Sequence, residues 1–381
     1  MPTVHAIGLD CGPLGGLAKV REIYHSPERF PDTAGGSLMV VNLTREYIGF
    51  SLEAARVREG DLKGLTVVLD AFHGSAGPEI YEALTRAGVC VLPQRLTPNG
   101  DFPTGSPNPT SQGKMNAALA LAKQQHAHAV LGIDGDGDRI VFGDSRGVLT
   151  AGFAFVPILK ACGMEAGASP APVLYDPKVS PLALAEWGRL GRKPVLFRNG
   201  HSQIKDYMTQ IGASAAAEES GHYYHRITLG KLTISGENSI LTILLFLRAL
   251  KEQPGLMEQL WALQERVFTT GEFNYQLDSD SVRDLALDAL IAHFVKDGAS
   301  TVTATPDGID LQGTCLSKGV RLEPGSVRLE PGWYSGYLRP ATNEKAVVRS
   351  YFSAGDTAQG KQVEARARAI LEHEFKGRAI D

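Results

Sequence analysis

Three stretches of the chain repeat one order of apolar and polar positions: a short β-branched apolar run, a turn of small or polar residues, and an amphipathic helical stretch. The first begins with LTVVLD (65–70), continues through PEIYEALTRAG and returns to VCVL. A second pair of apolar runs, AVLGI (129–133) and IVFGD (140–144), flanks a short acidic turn. The third runs from PVLYD (172–176) through PLALAEWGRLG to PVLFR (194–198). Strands that alternate with helices of this length predict α/β domains with parallel or mixed sheets.

The pattern changes near TGEFNYQLDSD (270–280), where a different kind of segment begins. One helical stretch, SVRDLALDALIAHFVKDG, is followed by several short strands with Gly and Pro turns and by a charged helix over 358–376. This order predicts a C-terminal α+β domain. A linker is predicted at ACGMEAGASPAP (161–172), which is rich in small residues and proline.

These patterns predict four segments along the chain. We expect a short N-terminal segment, two successive α/β domains and the C-terminal α+β domain. Their expected ranges are 1–55, 56–162, 163–275 and 276–381.

Composition narrows the class of protein. A chain of 381 residues is longer than one hydrophobic core normally serves, so two to four domains are expected. The net charge of −4 argues against a dedicated nucleic-acid binder. The four cysteines lie far apart without a CxxC pair, which is typical of a reduced compartment. The opening residues show no signal peptide, and the longest apolar run, ILTILLFL (240–247), is too short to span a bilayer. We therefore expect a soluble cytoplasmic protein.

The strongest chemical signal is GIDGDGDRI (132–140), in which Asp134, Asp136 and Asp138 alternate with glycines between two apolar runs. In an extended loop, residues two apart face the same way, so the three carboxylates should converge. Like charges at close range are unfavourable unless a hard cation lies among them, and oxygen ligands suit Mg²⁺.

Two other interpretations of this acidic turn are a calcium-binding loop and a solvated surface turn. An EF-hand loop also begins D-x-D-x-D, but it needs Gly at its sixth position and Glu at its twelfth, where this chain has Arg139 and Ser145. The calcium interpretation therefore fails. The interpretation as a solvated acidic turn stays open, although the flanking runs are more apolar than those of an ordinary surface loop.

The acidic turn and its flanking strands resemble the metal loop of the α-D-phosphohexomutase superfamily, the phosphoglucomutases and phosphomannomutases, whose members interconvert hexose 1- and 6-phosphates. The preceding VVLDAFHGSAG and TPNGDFPTGSPNP are similar to the family's second domain in order and spacing. The resemblance implies that Asp134, Asp136 and Asp138 hold one Mg²⁺ and that Arg139 contacts the substrate or a phosphoserine. It also implies that the segment 1–55 is the remnant of a first domain, followed by metal-binding, sugar-binding and phosphate-binding domains.

AAEESGHYYH (216–225) resembles the family's sugar loop, GE-x-SGH. The resemblance places Glu218, Ser220 and His222 where the family recognises sugar hydroxyls. A carboxylate, a hydroxyl and an imidazole on one turn offer the mixed acceptors and donors that vicinal diols need. Taken alone, the segment could also be an ordinary polar loop.

Two single residues follow the same resemblance. RNGHSQIK resembles the family's VGH-x-x-IK turn, which implies that His201 assists proton transfer or contacts phosphate. Lys178, after the strand VLYD, matches a lysine near the family's active site. An ordinary alternative stays open for each residue: His201 could simply begin a helix, and Lys178 could be a solvated lysine.

LRPATNEKAVVR (338–349) resembles the family's phosphate loop, R-x-S-N-T-x-P, with several departures. Arg339 fits that pattern. Thr342 and Asn343 differ from the usual residues, but their side chains could still bind phosphate together with backbone N–H groups. The resemblance implies that Arg339 anchors the distal phosphate of the substrate.

The family's reaction needs a phosphorylated serine in a motif like T-A-S-H-N-P, and no such motif occurs in the printed sequence. Ser75, in HGSAGPE, lacks the nucleophile-elbow pattern, and we assign it no catalysis. The leading hypothesis is a Mg²⁺-dependent isomerase acting on glucose or mannose phosphates, with a hexose 1,6-bisphosphate as a candidate activator. A binding protein without mutase activity, and a subunit that takes its serine loop from another chain, are the alternatives. Neither nucleic acid nor membrane is expected as a partner.

Overall fold

A computed structural model describes residues 16–26, 35–162, 171–323, 326–341 and 344–380 of the chain. The helices are α1 Gly16–His25, α2 Thr44–Ala54, α3 Gly77–Arg86, α4 Asn116–Gln125, α5 Ala151–Cys162, α6 Pro181–Arg189, α7 His201–Ile211, α8 Ser239–Glu252, α9 Leu256–Gln264, α10 Asp280–Lys296 and α11 Thr357–Ala369, followed by a π-helical turn Ile370–Glu374. The strands are β1 Thr66–Asp70, β2 Cys90–Gln94, β3 Ala129–Ile133, β4 Ile140–Asp144, β5 Gly147–Val148, β6 Pro172–Tyr175, β7 Lys193–Leu196, β8 Ala215–Ala217, β9 Tyr223–Leu229, β10 Leu232–Glu237, β11 Phe268–Gln276, β12 Ser300–Ala304, β13 Asp310–Glu323, β14 Ser326–Pro340, β15 Val347–Ala354 and β16 Arg378–Ile380. None of the described helices is both long enough and apolar enough to cross a membrane.

The first sheet has the strand order β2-β1-β3-β4-β5. β1 pairs in parallel with β2 and β3, whereas β4 returns antiparallel to β3 and β5 pairs antiparallel with β4. Every residue of β3 and β4 is buried, which explains why these strands have continuous apolar runs instead of alternating ones. The predicted strands 129–133 and 140–144 are confirmed, residue for residue.

The second sheet repeats this plan with the order β10-β9-β8-β6-β7. β6 pairs in parallel with β7 and β8, and the β9–β10 hairpin continues the sheet in antiparallel pairing. Both sheets are therefore mixed, and helices cover them, so the prediction of successive α/β domains with mixed or parallel sheets is confirmed.

The third sheet is antiparallel throughout, with the order β12-β13-β14-β15-β11-β16. α10 and α11 pack against it over a core of its own that includes Tyr275, Phe294 and Phe352. This agrees with the predicted C-terminal α+β domain. β11 is the N-terminal strand of this sheet and begins at Phe268. The predicted domain boundary between residues 275 and 276 therefore falls inside β11. The other predicted boundaries stay predictions.

α8 joins the first two sheets into one core. Ten of its 14 residues are buried, because it is apolar on nearly every side and packs against α5 and α2. Phe246 stacks on Phe142 of β4 with ring centroids 4.3 Å apart, and Phe142 meets Tyr223 of β9 at 5.7 Å. The start of α8 is capped by Asn238, whose side chain accepts a hydrogen bond from the backbone N–H of Leu241 at 2.9 Å. This packing fixes the relative position of the two loops described next.

Candidate functional site

The acidic turn closes the hairpin between β3 and β4, where Ile133 pairs with Ile140. The structure brings Asp134, Asp136 and Asp138 together so that one ligand oxygen from each lies within 4.8 Å of the others. The turn is held by its own backbone, because Asp134 Oδ1 accepts hydrogen bonds from the N–H groups of Gly137 and Arg139, both at 3.1 Å. The convergence that the alternating sequence predicts is therefore present.

The charge on this turn is poorly compensated within the protein. Asp134 is 6% exposed, and burial raises its pKa to about 6. This net value also includes the N–H group of Arg139, which lowers the pKa, the carboxylates of Asp138 and Asp136, which raise it, and the charge of Arg139, which lowers it. Three convergent oxygen donors with unfavourable mutual charge fit a hard divalent cation such as Mg²⁺.

A neighbouring turn supports the acidic turn from the carboxyl end of β1. The N–H of Ser75 donates to the carbonyl of Gly135 at 2.9 Å, and the Ser75 hydroxyl donates to the same oxygen at 3.4 Å. Gly137 has φ +83° and lies against Ala76. A Cβ atom added at position 137 would lie 2.3 Å from the Cβ of Ala76. From the other side, the hydroxyl of Ser239 donates to the carbonyl of Gly137. Contacts from the turn after β1 and from the start of α8 therefore hold the acidic turn in place.

Arg139 connects the acidic turn to the sugar-loop segment. Its Nε donates to His222 Nε2 at 3.3 Å and lies 3.4 Å from Asp134 Oδ2. The two loops also share a backbone hydrogen bond, from the N–H of Ile140 to the carbonyl of Gly221 at 2.8 Å.

The other nitrogen of His222 faces two carboxylates. Nδ1 lies 3.7 Å from Asp138 Oδ1, and ligand atoms of Asp138, His222 and Glu237 all lie within 4.8 Å of one another. Lys205 Nζ pairs with Glu237 Oε2 at 2.8 Å. Sequence reasoning missed Glu237 and Lys205 as site residues, although Lys205 lies in RNGHSQIK, which resembles a turn of the family.

Glu218 is almost fully buried, at 3% exposure, and its carboxylate is saturated with hydrogen bonds. Oε1 accepts from Asn199 Nδ2 at 3.1 Å and from the N–H of Gly200 at 3.2 Å, and Oε2 accepts from the hydroxyl of Tyr224. These contacts fix the turn that leads into α7. His201, the first residue of α7, is exposed beside that turn.

Lys178 and Arg339 lie at a second cluster, between the second and third sheets. Lys178 Nζ pairs with Glu272 Oε2 at 3.2 Å, and Arg339 lies 3.8 Å from the same oxygen. Ser220 is half-buried in the sugar loop. Thr342 and Asn343 lie outside the described residues. Sequence reasoning missed Glu272, because its role depends on a contact between elements that are distant in the chain.

Glu219, between Glu218 and Ser220 in the sugar loop, links this loop to the start of α5. Its carboxylate accepts from the N–H groups of Ala151 at 2.9 Å and Gly152 at 3.0 Å. Its pKa is raised to about 8, chiefly by burial and also by the nearby Asp176, while those two N–H groups and Lys178 lower it. The carboxyl therefore holds its proton in the folded protein at pH values where the unfolded chain has lost it.

This shift predicts a pH-dependent stability that a substitution can remove. The pKa of Glu219 rises from 4.5 to about 8 on folding, so between these values the folded state binds the extra proton. Stability should fall as pH rises through this window, and Glu219→Gln should make the fall shallower. Urea unfolding at pH 5.5, 6.5 and 8 measures it, with Glu82→Gln on the exposed face of α3 as the control. An unchanged pH dependence in Glu219→Gln would contradict the prediction.

Comparison with known proteins decides the family. A family model described as phosphoglucomutase/phosphomannomutase, alpha/beta/alpha domain II, matches residues 45–147, and the corresponding domain III matches residues 158–267. Together the two matches cover more than half of the chain. The chain belongs to the phosphoglucomutase/phosphomannomutase family. The two matches contain nearly all of the first sheet and all of the second, and with them the acidic turn and residues 218–222.

Curated relatives carry the same names. A phosphomannomutase of Salmonella montevideo is 29% identical over 224 residues, which are 56% of this chain and 48% of the relative. A phosphomannomutase/phosphoglucomutase of Pseudomonas aeruginosa is 29% identical over 227 residues, 58% of this chain and 46% of the relative. The matched part of the chain spans about half the length of these relatives.

Solved structures show the same fold. A phosphoglucomutase/phosphomannomutase family protein of Burkholderia thailandensis superposes with a TM-score of 0.71 at 22% identity, covering 89% of this chain and 66% of that one. An Aspergillus fumigatus N-acetylphosphoglucosamine mutase, in complex with GlcNAc-6P and magnesium, gives a TM-score of 0.56 at 12% identity, covering 87% of this chain and 70% of that one. At these identities the likeness establishes the fold.

Proposed function

We propose that this chain binds a hexose phosphate together with Mg²⁺ and serves the interconversion of hexose 1- and 6-phosphates, with glucose or mannose as the sugar. The proposal rests chiefly on one observation: the acidic turn and the sugar loop are joined directly through Arg139 and His222, which are 83 residues apart in the chain. A cation site beside a sugar site is what phosphoryl transfer on a sugar requires. The family membership supports the same chemistry.

The residues of the acidic turn would hold the ion. Asp134, Asp136 and Asp138 supply carboxylate oxygens, and a bound Mg²⁺ would neutralise negative charge on the transferring phosphoryl group. Arg139 lies next to this turn and could add a fixed positive charge on the same side. In the proposed function, a hexose 1,6-bisphosphate is the candidate activator, as the family resemblance implies.

The sugar and the distal phosphate would be held by separate groups. Ser220 and His222 present a hydroxyl and an imidazole to the sugar. Glu218 would act by fixing the loop, since its carboxylate already accepts from Asn199 and Tyr224. Lys178 and Arg339 would neutralise phosphate charge, and His201 at the start of α7 would relay a proton.

A second candidate is sugar-phosphate binding without turnover. The printed sequence contains no T-A-S-H-N-P-like motif, and the Ser75 hydroxyl is engaged with the Gly135 carbonyl. The saturated carboxylate of Glu218 also favours a fixed loop over one that re-forms its contacts during a reaction. A third candidate is a subunit that takes the serine loop from another chain.

Turnover and binding distinguish these candidates. The purified chain is incubated with Mg²⁺, glucose or mannose 1-phosphate and the matching 1,6-bisphosphate, and hexose 6-phosphate is measured against a protein-free blank. Product formation supports the mutase. Saturable binding by calorimetry without product supports the second candidate, and product only after addition of a serine-loop-bearing partner supports the third. No Mg²⁺-dependent association with any of these sugars would contradict all three.

One substitution tests the phosphate end of the proposed site. Arg339→Met should weaken binding of glucose 1-phosphate by about 10- to 100-fold, because a hydrogen bond to a charged group contributes roughly 1.5–3 kcal/mol. Titration calorimetry measures the change. Arg321→Met is the matched control, since Arg321 lies in the same sheet and is 68% exposed in a pair with Glu330. Equal affinities of the two variants would remove Arg339 from the site.

A further inference from the structure

A row of polar side chains crosses the third sheet at the second cluster. The strand register places Arg339 of β14 directly opposite Arg349 of β15, and Arg349 directly opposite Asn274 of β11. Like charges that face each other on neighbouring strands are destabilising unless an anion compensates them. Residues two apart on a strand share a face, so Glu272 lies on the same side as Asn274.

Glu272 supplies that anion. Its Oε1 pairs with Arg349 at 2.6 Å, its Oε2 pairs with Lys178 at 3.2 Å, and Arg339 lies 3.8 Å from Oε2. Burial alone would raise the pKa of Glu272, but the three cations outweigh it and hold the pKa below its usual value. The carboxylate is therefore ionised at neutral pH and lies among the cations expected to receive a phosphate.

The cluster has spare capacity for a second anion. Three cations surround the carboxylate of Glu272, and the more exposed Glu344 pairs with the other end of Arg349, at 2.7 Å. Among the residues that the structure describes, Arg339 Nε and Asn274 Oδ1 are buried without a hydrogen-bond partner. Glu272 and Glu344 together offset two of these three cations, and the buried carboxyl of Asp176 also interacts with Lys178, so the charge of Arg339 is the least compensated and its Nε is an unused donor.

We propose that Glu272 is an internal anion that occupies the phosphate subsite formed by Lys178, Arg339 and Arg349, and that a substrate phosphate must displace it. This inference rests on the proposed function and adds a built-in competitor to it. Lys178 follows β6 of the second sheet, whereas Glu272 belongs to β11 of the third. Binding of phosphate therefore breaks a contact between the two sheets, and the free protein keeps that contact closed.

Removing the charge of Glu272 tests the competition. Glu272→Gln should bind inorganic phosphate and glucose 1-phosphate about fivefold more tightly than the unchanged protein at low salt, because the competing anion is gone while the three cations stay. Titration calorimetry measures both ligands. Glu344→Gln is the matched control: it removes a carboxylate from Arg349 alone and should change affinity by less than about twofold.

Other outcomes overturn the inference in distinguishable ways. Unchanged or weaker binding by Glu272→Gln would show that Glu272 positions the cations instead of competing with phosphate, and would leave the proposed function standing. Absence of phosphate binding in the unchanged protein and in both variants would contradict the proposed function itself. Glu272→Asp keeps the charge and should bind phosphate no more tightly than the unchanged protein. Thermal unfolding of each variant verifies that it is folded.

Discussion

Replacing Asp136 by alanine is expected to lower the Mg²⁺ affinity of the acidic turn by on the order of 100-fold and to abolish Mg²⁺-dependent binding of glucose 1-phosphate. Asp136 is the exposed member of the three carboxylates, so its removal takes away a ligand without opening a hole in the core. Loss of a group that only orients a ligand costs about 10- to 100-fold in metal affinity, and loss of a ligand itself should cost at least the upper value.

Titration calorimetry with Mg²⁺, and then with glucose 1-phosphate at saturating Mg²⁺, measures this effect. Asp288→Asn, on an exposed position of α10 in the third-sheet domain, is the control for a general loss of acidic charge. Because Asp134 and Gly137 hold the turn through the backbone, the variant should keep its fold and melt near the temperature of the unchanged protein. Mg²⁺ binding that survives the substitution at full strength would contradict a cation site on this turn.

The sequence predicts much of this turn, because its signal is local. Two fully buried, mostly apolar strands on either side of alternating Asp and Gly residues determine both the hairpin and the direction of its carboxylates. The buried strands β1, β3, β4 and β6 are predictable for the same reason, because each is a short apolar run. The strands β5, β8, β9 and β10 were not predicted. The resemblance to the family added the functional meaning of these segments.

Contacts between distant segments were not predictable from the sequence. Glu272 lies on a strand with the polar sequence FTTGEFNYQ, which gives no apolar run and led to a boundary placed inside β11. Its role appears only when β11 pairs with β15 and when Lys178 approaches from another sheet. Glu237 likewise meets His222 only after the β9–β10 hairpin has formed. Spacing along one sequence does not contain such pairings.

The second large effect concerns the shared core beneath the site. Phe246→Ala is expected to lower the free energy of unfolding by about 3–5 kcal/mol, the usual cost of truncating a fully buried aromatic residue. Phe246 is fully buried, and its ring stacks on Phe142 at 4.3 Å. Urea unfolding followed by tryptophan fluorescence measures this change, because Trp187 and Trp333 belong to this core.

Leu285→Ala is the control for this experiment, since Leu285 lies on α10 and is 60% exposed. Surface truncations of this kind usually change stability by less than about 0.5 kcal/mol. A loss below about 1 kcal/mol in Phe246→Ala would show that α8 does not hold the two sheets together.

The form of the transition carries further information. Phe142 belongs to the first sheet and contacts Tyr223 of the second, so the cavity left by Phe246 borders both sheets. If they unfold as one unit, the variant should show a single transition at lower urea with an unchanged slope. Two separated transitions would mean that each sheet domain keeps its own stability. The first outcome is expected, because one continuous set of buried residues runs from β1 through α8 to β9. The acidic turn and the sugar loop would then lose their relative position together, and binding of Mg²⁺ and of sugar phosphate should fail at the same urea concentration.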